Sequence, residues 1–177
     1  MNNPKKRFIQ IYTGNGKGKT TAAIGQAIRS AGHGLKSKII MFMKDFPYGE
    51  LNALKVFEEF ISIEQFGDDN FVLNKIPPSE KDLLTAKKAL DRSKEIIDSG
   101  RYDIVIFDEI CVACYFGLFK PEDIIPLLDN KPDDVELILT GRYCPEEWIE
   151  KADLVTEMKE VKHYYQQGII ARKGFES

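Results

Sequence analysis

Apolar positions in this chain fall in short runs with strand or helix spacing, separated by glycine, proline and acidic turns. Phe8–Tyr12 reads as a strand that stops at the glycine-rich segment Thr13–Gly18. Thr20–Ala31 follows, with Ala23, Ile24, Ala27 and Ile28 on one face, the spacing of an amphipathic helix. Gly32 and Gly34 end it. Lys38–Met43 predicts a second strand, broken by Pro47-Tyr48-Gly49. Leu51–Glu59 predicts a short helix and Phe60–Phe66 a strand. Gly67-Asp68-Asp69-Asn70 is a turn, and Pro77-Pro78 marks a loop boundary. Ser79–Ser99 is the longest predicted helix. Ser79 is its N-cap, Asp82 stands in the capping-box place, and Gly100 closes it. Asp103–Phe107 is almost continuously apolar, as expected of a strand covered on both faces. Helical segments follow around Cys111–Phe116 and Glu122–Leu128. A strand over Val135–Leu139, a short helix over Glu146–Lys151 and a strand over Leu154–Met158 complete the order.

Strands alternate with helices throughout, which predicts an α/β fold with a mainly parallel central sheet and right-handed crossovers. The pattern shows neither repeat nor linker, so residues 1–177 are expected to form a single domain. Ligands of such sheets sit at the carboxyl ends of the strands.

Composition narrows the function. A hydrophobic share of 43% with 30% charged residues is that of a globular protein, neither disordered nor fibrous. The net charge of −3 lacks the basic excess of a nucleic-acid binder, so no nucleic-acid partner is expected. The Lys5-Lys6-Arg7 run is expected to be a solvated end. Three cysteines, Cys111, Cys114 and Cys144, are too few and odd in number for a disulfide scaffold and suit a reducing cytoplasm. Cys111 and Cys114 have C-x-x-C spacing, but zinc needs about four ligands and no second pair exists. No run of 18 apolar residues occurs, so no membrane span is expected. The strand pattern begins by Phe8, so no signal peptide is expected.

The chemistry concentrates in Thr13-Gly14-Asn15-Gly16-Lys17-Gly18-Lys19-Thr20-Thr21, between a strand and a helix. That context makes a phosphate loop credible. Glycines let backbone N–H groups turn inward, and with the helix N-terminus they form an anion site. Lys19 supplies positive charge to phosphate oxygens, and Thr20 offers a hydroxyl to Mg²⁺. Against the pattern G-x-x-x-x-G-K-[ST], Thr13 replaces the first glycine, whereas Gly18 to Thr20 match. The loop makes the fold class a phosphate-loop (RecA-like) three-layer sandwich. Asp108 and Glu109 close the buried strand and are candidate Mg²⁺ partners with Thr20; which one ligates directly is open. Lys19, Thr20 and Glu109 are the candidate catalytic residues. From the residues alone the site is one for Mg-ATP, and hydrolase, kinase and nucleotidyl-group chemistry remain open.

Gly14-Asn15-Gly16-Lys17-Gly18-Lys19-Thr20-Thr21-Ala22-Ala23 resembles the signature loop of the corrinoid adenosyltransferases, the ATP:cob(I)alamin enzymes of cobalamin synthesis and corrinoid salvage. Further stretches agree in order: Met43-Lys44 through Gly49-Glu50, Tyr102-Asp103 to Glu109, and Thr140-Gly141-Arg142. The C-terminal block is similar too, from Ala152 to Met158, then Val161-Lys162-His163, Gly168-Ile169 and Ala171. Where enteric members carry Phe-Thr-Trp, this chain reads Phe71-Val72-Leu73.

The resemblance implies that Co(I) of a reduced corrinoid attacks C5′ of ATP and releases triphosphate. It also implies ATP running in the reversed direction along the loop, a homodimer, and a flavoprotein as reductant. It marks Phe71 as a corrinoid-face residue, the alternative being an apolar anchor for its loop. Arg142 follows a buried strand and is expected to contact nucleotide, the alternative being a surface ion pair. Lys162 and His163 are candidates for contact with nucleotide or corrinoid, the alternative for His163 being a structural hydrogen bond.

Overall fold

The computed structural model describes residues 6–45, 48–67 and 77–175 of the 177-residue chain. Six strands form one sheet: β1 (Ile9–Thr13), β2 (Ser37–Phe42), β3 (Ile61–Phe66), β4 (Ile104–Asp108), β5 (Glu136–Thr140) and β6 (Leu154–Glu157). Their order is β3-β2-β4-β5-β1-β6, and every pairing is parallel. The helices are α1 (Lys19–Ala31), α2 (Gly49–Ala53), α3 (Glu80–Asp98), α4 (Ile110–Tyr115), α5 (Ile125–Asp129) and α6 (Glu146–Ile149). They cover both faces, which makes the three-layer α/β sandwich expected of a phosphate-loop protein.

Period-two alternation builds the two cores. On β4, Val105 and Phe107 point into one apolar cluster while Ile104 and Ile106 point into the other. Ala23, Ala27 and Ala31 of α1 are buried at successive turns, and their small side chains let that helix lie close to the sheet. α3, α4 and the buried Trp148 cover the opposite face. The Trp148 indole N–H donates to the Pro121 carbonyl at 3.0 Å, so the buried ring leaves no donor unpaired.

The elements follow the hydrophobic pattern, with boundaries shifted by a residue or two. The capping box at α3 forms as expected: the Asp82 N–H donates to Ser79 Oγ and the Ser79 N–H to Asp82 Oδ2. The expected helix over Leu51–Glu59 becomes α2 followed by a 3₁₀ turn at Leu54–Phe57. That over Glu122–Leu128 divides into a 3₁₀ turn at Pro121–Asp123 and α5. Pro126 has no N–H to continue a helix through it and sits in the first turn of α5 instead.

Charges inside the fold depart from the sequence reading. Arg7 is not part of a solvated end. Its guanidinium donates to the Asp103 carbonyl and to Asp103 Oδ1, both at 2.7 Å, joining the chain start to the foot of β4. Lys38, inside an apolar run, is buried and pairs with Glu64 of β3 at 2.8 Å. Arg92 of α3 donates to both oxygens of the same carboxylate at 2.9 Å. This Arg92 fork, with Lys38, holds the Glu64 carboxyl down to about 2. A depressed carboxylate contributes stability above its unfolded value and loses it as pH falls through the folded one. Glu64→Gln should therefore destabilise the protein by about 1–3 kcal/mol at neutral pH by stranding Lys38. In urea titrations the gap from wild type should shrink as pH falls from 4.5 toward 2. A gap independent of pH would show that the ion cluster contributes nothing electrostatic.

Candidate active site at the carboxyl edge of the sheet

The glycine-rich segment runs from the end of β1 to the start of α1. Thr13 is the last residue of β1, paired with Glu157, so extended backbone suffices where the usual pattern has glycine. The turn begins one residue later, at Gly14 with φ 94°. A Cβ at Gly14 or Gly16 would lie 2.6 Å from the Met158 carbonyl oxygen. The Gly16 N–H donates to that same oxygen at 2.6 Å, and the Met158 N–H donates to the Thr13 carbonyl at 2.8 Å. The chain leaving β6 therefore braces the loop, and glycine at both positions is a packing requirement. Gly18, with φ 117°, starts α1 with no side-chain cap. The first-turn N–H groups, which a helix cannot satisfy internally, thus stay available to an anion.

Lys19 is buried and donates from Nζ to the carbonyls of Gly14 at 2.8 Å and Gly16 at 2.7 Å. Burial pulls its ammonium below the ordinary lysine range, against the opposing pull of Glu109. Asp108, only 1% exposed, joins β4 to α1, to β5 and to the segment after β2. Its Oδ1 accepts from the Thr20 hydroxyl at 2.8 Å and from the Thr140 hydroxyl at 2.6 Å. Its Oδ2 accepts from Lys44 Nζ at 2.6 Å. Burial disfavours the Lys44 charge, but Asp108 and Glu109 together raise its pKa above the ordinary value.

Glu109 follows with a left-handed backbone, φ 60°, and its N–H donates to Thr140 Oγ1 at 3.0 Å. Its carboxylate faces the cleft. Burial, then the neighbouring Asp108 charge, raise its pKa despite Lys44, Lys19 and Arg142. Such a carboxylate gains from an added cation. It and the Thr20 oxygen are the hard donors that suit Mg²⁺.

Lys19, Thr20, Lys44 and Glu109 line a cleft of about 790 Å³. Gly16, Lys17, Gly18, Lys19, Thr20 and Thr21 form one wall, and Lys44, Tyr48 and Glu50 another. Arg142 reaches it from beyond β5, and residues 160–175 close it, with His163, Tyr164 and Tyr165 on the lining. His163 makes the structural hydrogen bond of its alternative reading. It lines the cleft while its Nδ1 accepts from the Tyr165 N–H at 3.1 Å and caps the turn Tyr164–Gln167. Lys17 turns toward the same segment, donating to the Phe175 carbonyl at 2.7 Å. Gly14 packs against Met158 below the cleft, and Asn15 is exposed at the loop tip. Phe71 lies outside the described residues. The contacts of Thr140 and Lys44 with Asp108 leave no local signature, because the partners are 32 and 64 positions apart.

The cysteines sit beneath this edge. Cys111 packs under Gly141, where an added Cβ would come within 2.8 Å of it. The neighbouring Cys144 and burial push its thiol well up, and burial takes that of Cys114 to about 12. Both stay protonated and inert as nucleophiles at neutral pH.

The family model for ATP:corrinoid adenosyltransferase BtuR/CobO/CobP matches residues 5–177. The chain belongs to this family. It is 31% identical over 173 residues to the corrinoid adenosyltransferase of Escherichia coli K12, spanning 97% of this chain and 86% of that protein. A corrinoid adenosyltransferase of a Sinorhizobium species is 33% identical over 181 residues, spanning 97% and 81%. Corrinoid adenosyltransferase CobA of Salmonella typhimurium LT2 is 31% identical over 173 residues, spanning 97% and 86%. The match thus takes in both the phosphate loop and the C-terminal segment that closes this member's cleft.

The Asp108 hub is testable by stability. Lys44→Met leaves a buried carboxylate uncompensated and should cost about 3–5 kcal/mol. Adding Asp108→Asn removes that charge, so the double variant should be more stable than Lys44→Met alone. Strictly additive losses in denaturant titrations would refute the coupling.

Proposed function

We propose that this chain transfers the 5′-deoxyadenosyl group of ATP to the Co(I) centre of a reduced corrinoid, in cobalamin biosynthesis or salvage. The observation that carries the reading is the meeting, in one cleft, of the phosphate loop and the C-terminal block of a family matched from end to end. In the reaction the Co(I) electron pair attacks C5′, the C5′–O5′ bond breaks, and triphosphate leaves with that bond's electrons. Cobalt becomes Co(III). No proton is lost by the nucleophile, so no general base is required.

The protein's task is to hold the leaving group and meet its growing charge. Lys19, the N-terminus of α1 and Arg142 surround the cleft with positive potential that is in place before the reaction. Lys19 is held on loop carbonyls and needs only a small rearrangement to reach a phosphate oxygen. Thr20 gives its proton to Asp108, which leaves its oxygen lone pairs for a cation. Thr20 and Glu109 are thus the residues that would hold Mg²⁺, which when bound neutralises part of the triphosphate charge. Asp108 instead orients Thr20, since its own oxygens already accept from Thr20, Thr140 and Lys44.

The proposal extends to a cytoplasmic homodimer served by a flavoprotein reductant. Free buried thiols suit a reducing compartment. Edge strand β6 leaves Leu154 and Val155 exposed, a surface that a second copy would cover. Flavins deliver the single electrons that convert Co(II) to Co(I). Among the described residues no helix is long and apolar enough to cross a membrane.

ATP with chemically reduced cobinamide should yield inorganic triphosphate and adenosylcobinamide. Formation of ADP and phosphate instead would make the protein a kinase or ATPase. Glu109→Gln should raise the Mg²⁺ concentration needed for ATP binding by roughly tenfold, the cost of one charged oxygen contact. Asp108→Asn should raise it less. Isothermal titration at varied Mg²⁺ gives both values, and the reverse order would make Asp108 the ligand.

A further inference from the structure

Among the described residues, three other than glycine have left-handed backbones: Met43 with φ 59°, Glu109 with φ 60° and Tyr143 with φ 58°. They follow the carboxyl ends of β2, β4 and β5, three adjacent strands. That conformation strains any residue with a Cβ, and bulky ones most. Such strain gathers where geometry serves a ligand. For Met43 and Glu109 the result is visible: Lys44 reaches Asp108, and Glu109 enters the cleft.

Tyr143 does neither. Its ring stacks on that of Tyr115, with centroids 4.1 Å apart and planes 27° from parallel. Both rings are open to solvent, Tyr143 50% and Tyr115 58% exposed, so burial in the core does not repay the strain. Their position is informative. Tyr143 is next to Arg142, which lines the cleft, and Tyr115 ends α4, about 9 Å along the helix from Glu109. Phe116 lies edge-on to Tyr115 at 5.5 Å. The Tyr143, Tyr115 and Phe116 rings therefore form an aromatic surface at the carboxyl edge, next to the Arg142 that lines the nucleotide cleft.

We infer that the stacked Tyr115–Tyr143 pair is a platform for the flat corrin macrocycle of the second substrate. The inference rests on the adenosyl-transfer reading. That reaction needs a large planar ligand held next to C5′, a requirement that nucleotide chemistry alone does not impose. Aromatic rings offer the macrocycle face an offset-stacking surface. The left-handed turn at Tyr143 sets the plane of that surface.

The test uses Tyr143→Gly, Tyr115→Ala and Tyr143→Phe. Glycine is at home at this φ, so the first variant keeps its fold. Co(II) cobinamide is titrated by absorbance into ATP-loaded protein, and KM is measured for reduced cobinamide and for ATP. The first two variants should raise corrinoid Kd and KM roughly tenfold while ATP KM stays within about twofold. Tyr143→Phe, which keeps the ring, should stay near wild type. Unchanged corrinoid affinity in a wild type that turns over and in both ring-removing variants overturns the platform alone. If those variants instead shift the sedimentation coefficient with corrinoid affinity intact, the pair belongs to a contact between copies and the platform is likewise overturned. A wild type that binds ATP but no corrinoid overturns the adenosyl-transfer reading and the platform with it.

Discussion

A buried carboxylate must be compensated or it destabilises the fold that holds it. Asp108 is compensated by Thr20 of α1, Thr140 of β5 and Lys44 beyond β2. These contacts tie the phosphate loop, the central strands and the far cleft wall to one point. The rest of the site is arranged around it. Thr20 is turned so that its oxygen faces the cleft, and Thr140 also receives the Glu109 N–H. Among the described residues the Glu109 carboxylate has no hydrogen bond or ion pair, and burial, then the adjacent Asp108 charge, raise its pKa. Two adjacent acids thus take different parts, one satisfied within the protein and one lining the cleft.

The second constraint is the contact between the loop and the chain that leaves β6. In the common phosphate-loop pattern, glycines are understood through the backbone's approach to phosphate. Here Gly14 and Gly16 are also required by the Met158 carbonyl. The residues that follow, 160–175, return over the cleft with His163, Tyr164 and Tyr165. Loop and closing segment are therefore one mechanical unit, although Gly16 and Met158 lie 142 positions apart in sequence.

Much was legible from residue order. Alternation at period two and at helical spacing, punctuated by glycine and proline, determined the succession of elements, since each run must bury its apolar side. Gly18-Lys19-Thr20 after a strand marked a candidate anion site, because backbone N–H groups and a helix N-terminus have few other uses in that setting. Likewise Asp103–Glu109 determined a buried strand ending in two acids. Only the tertiary structure decided which strand lies beside which. Parallel strands are joined by crossovers, and hydrophobic period carries no information about lateral order. Placing β5 between β1 and β4 brings Thr140 to Asp108; placing β2 beside β4 brings Lys44. The paired Lys38, the engaged Arg7, the loop-bracing Met158 and the strained Tyr143 share the same origin. Each is set by a partner distant in sequence or by a backbone angle, and neither leaves a mark on local composition.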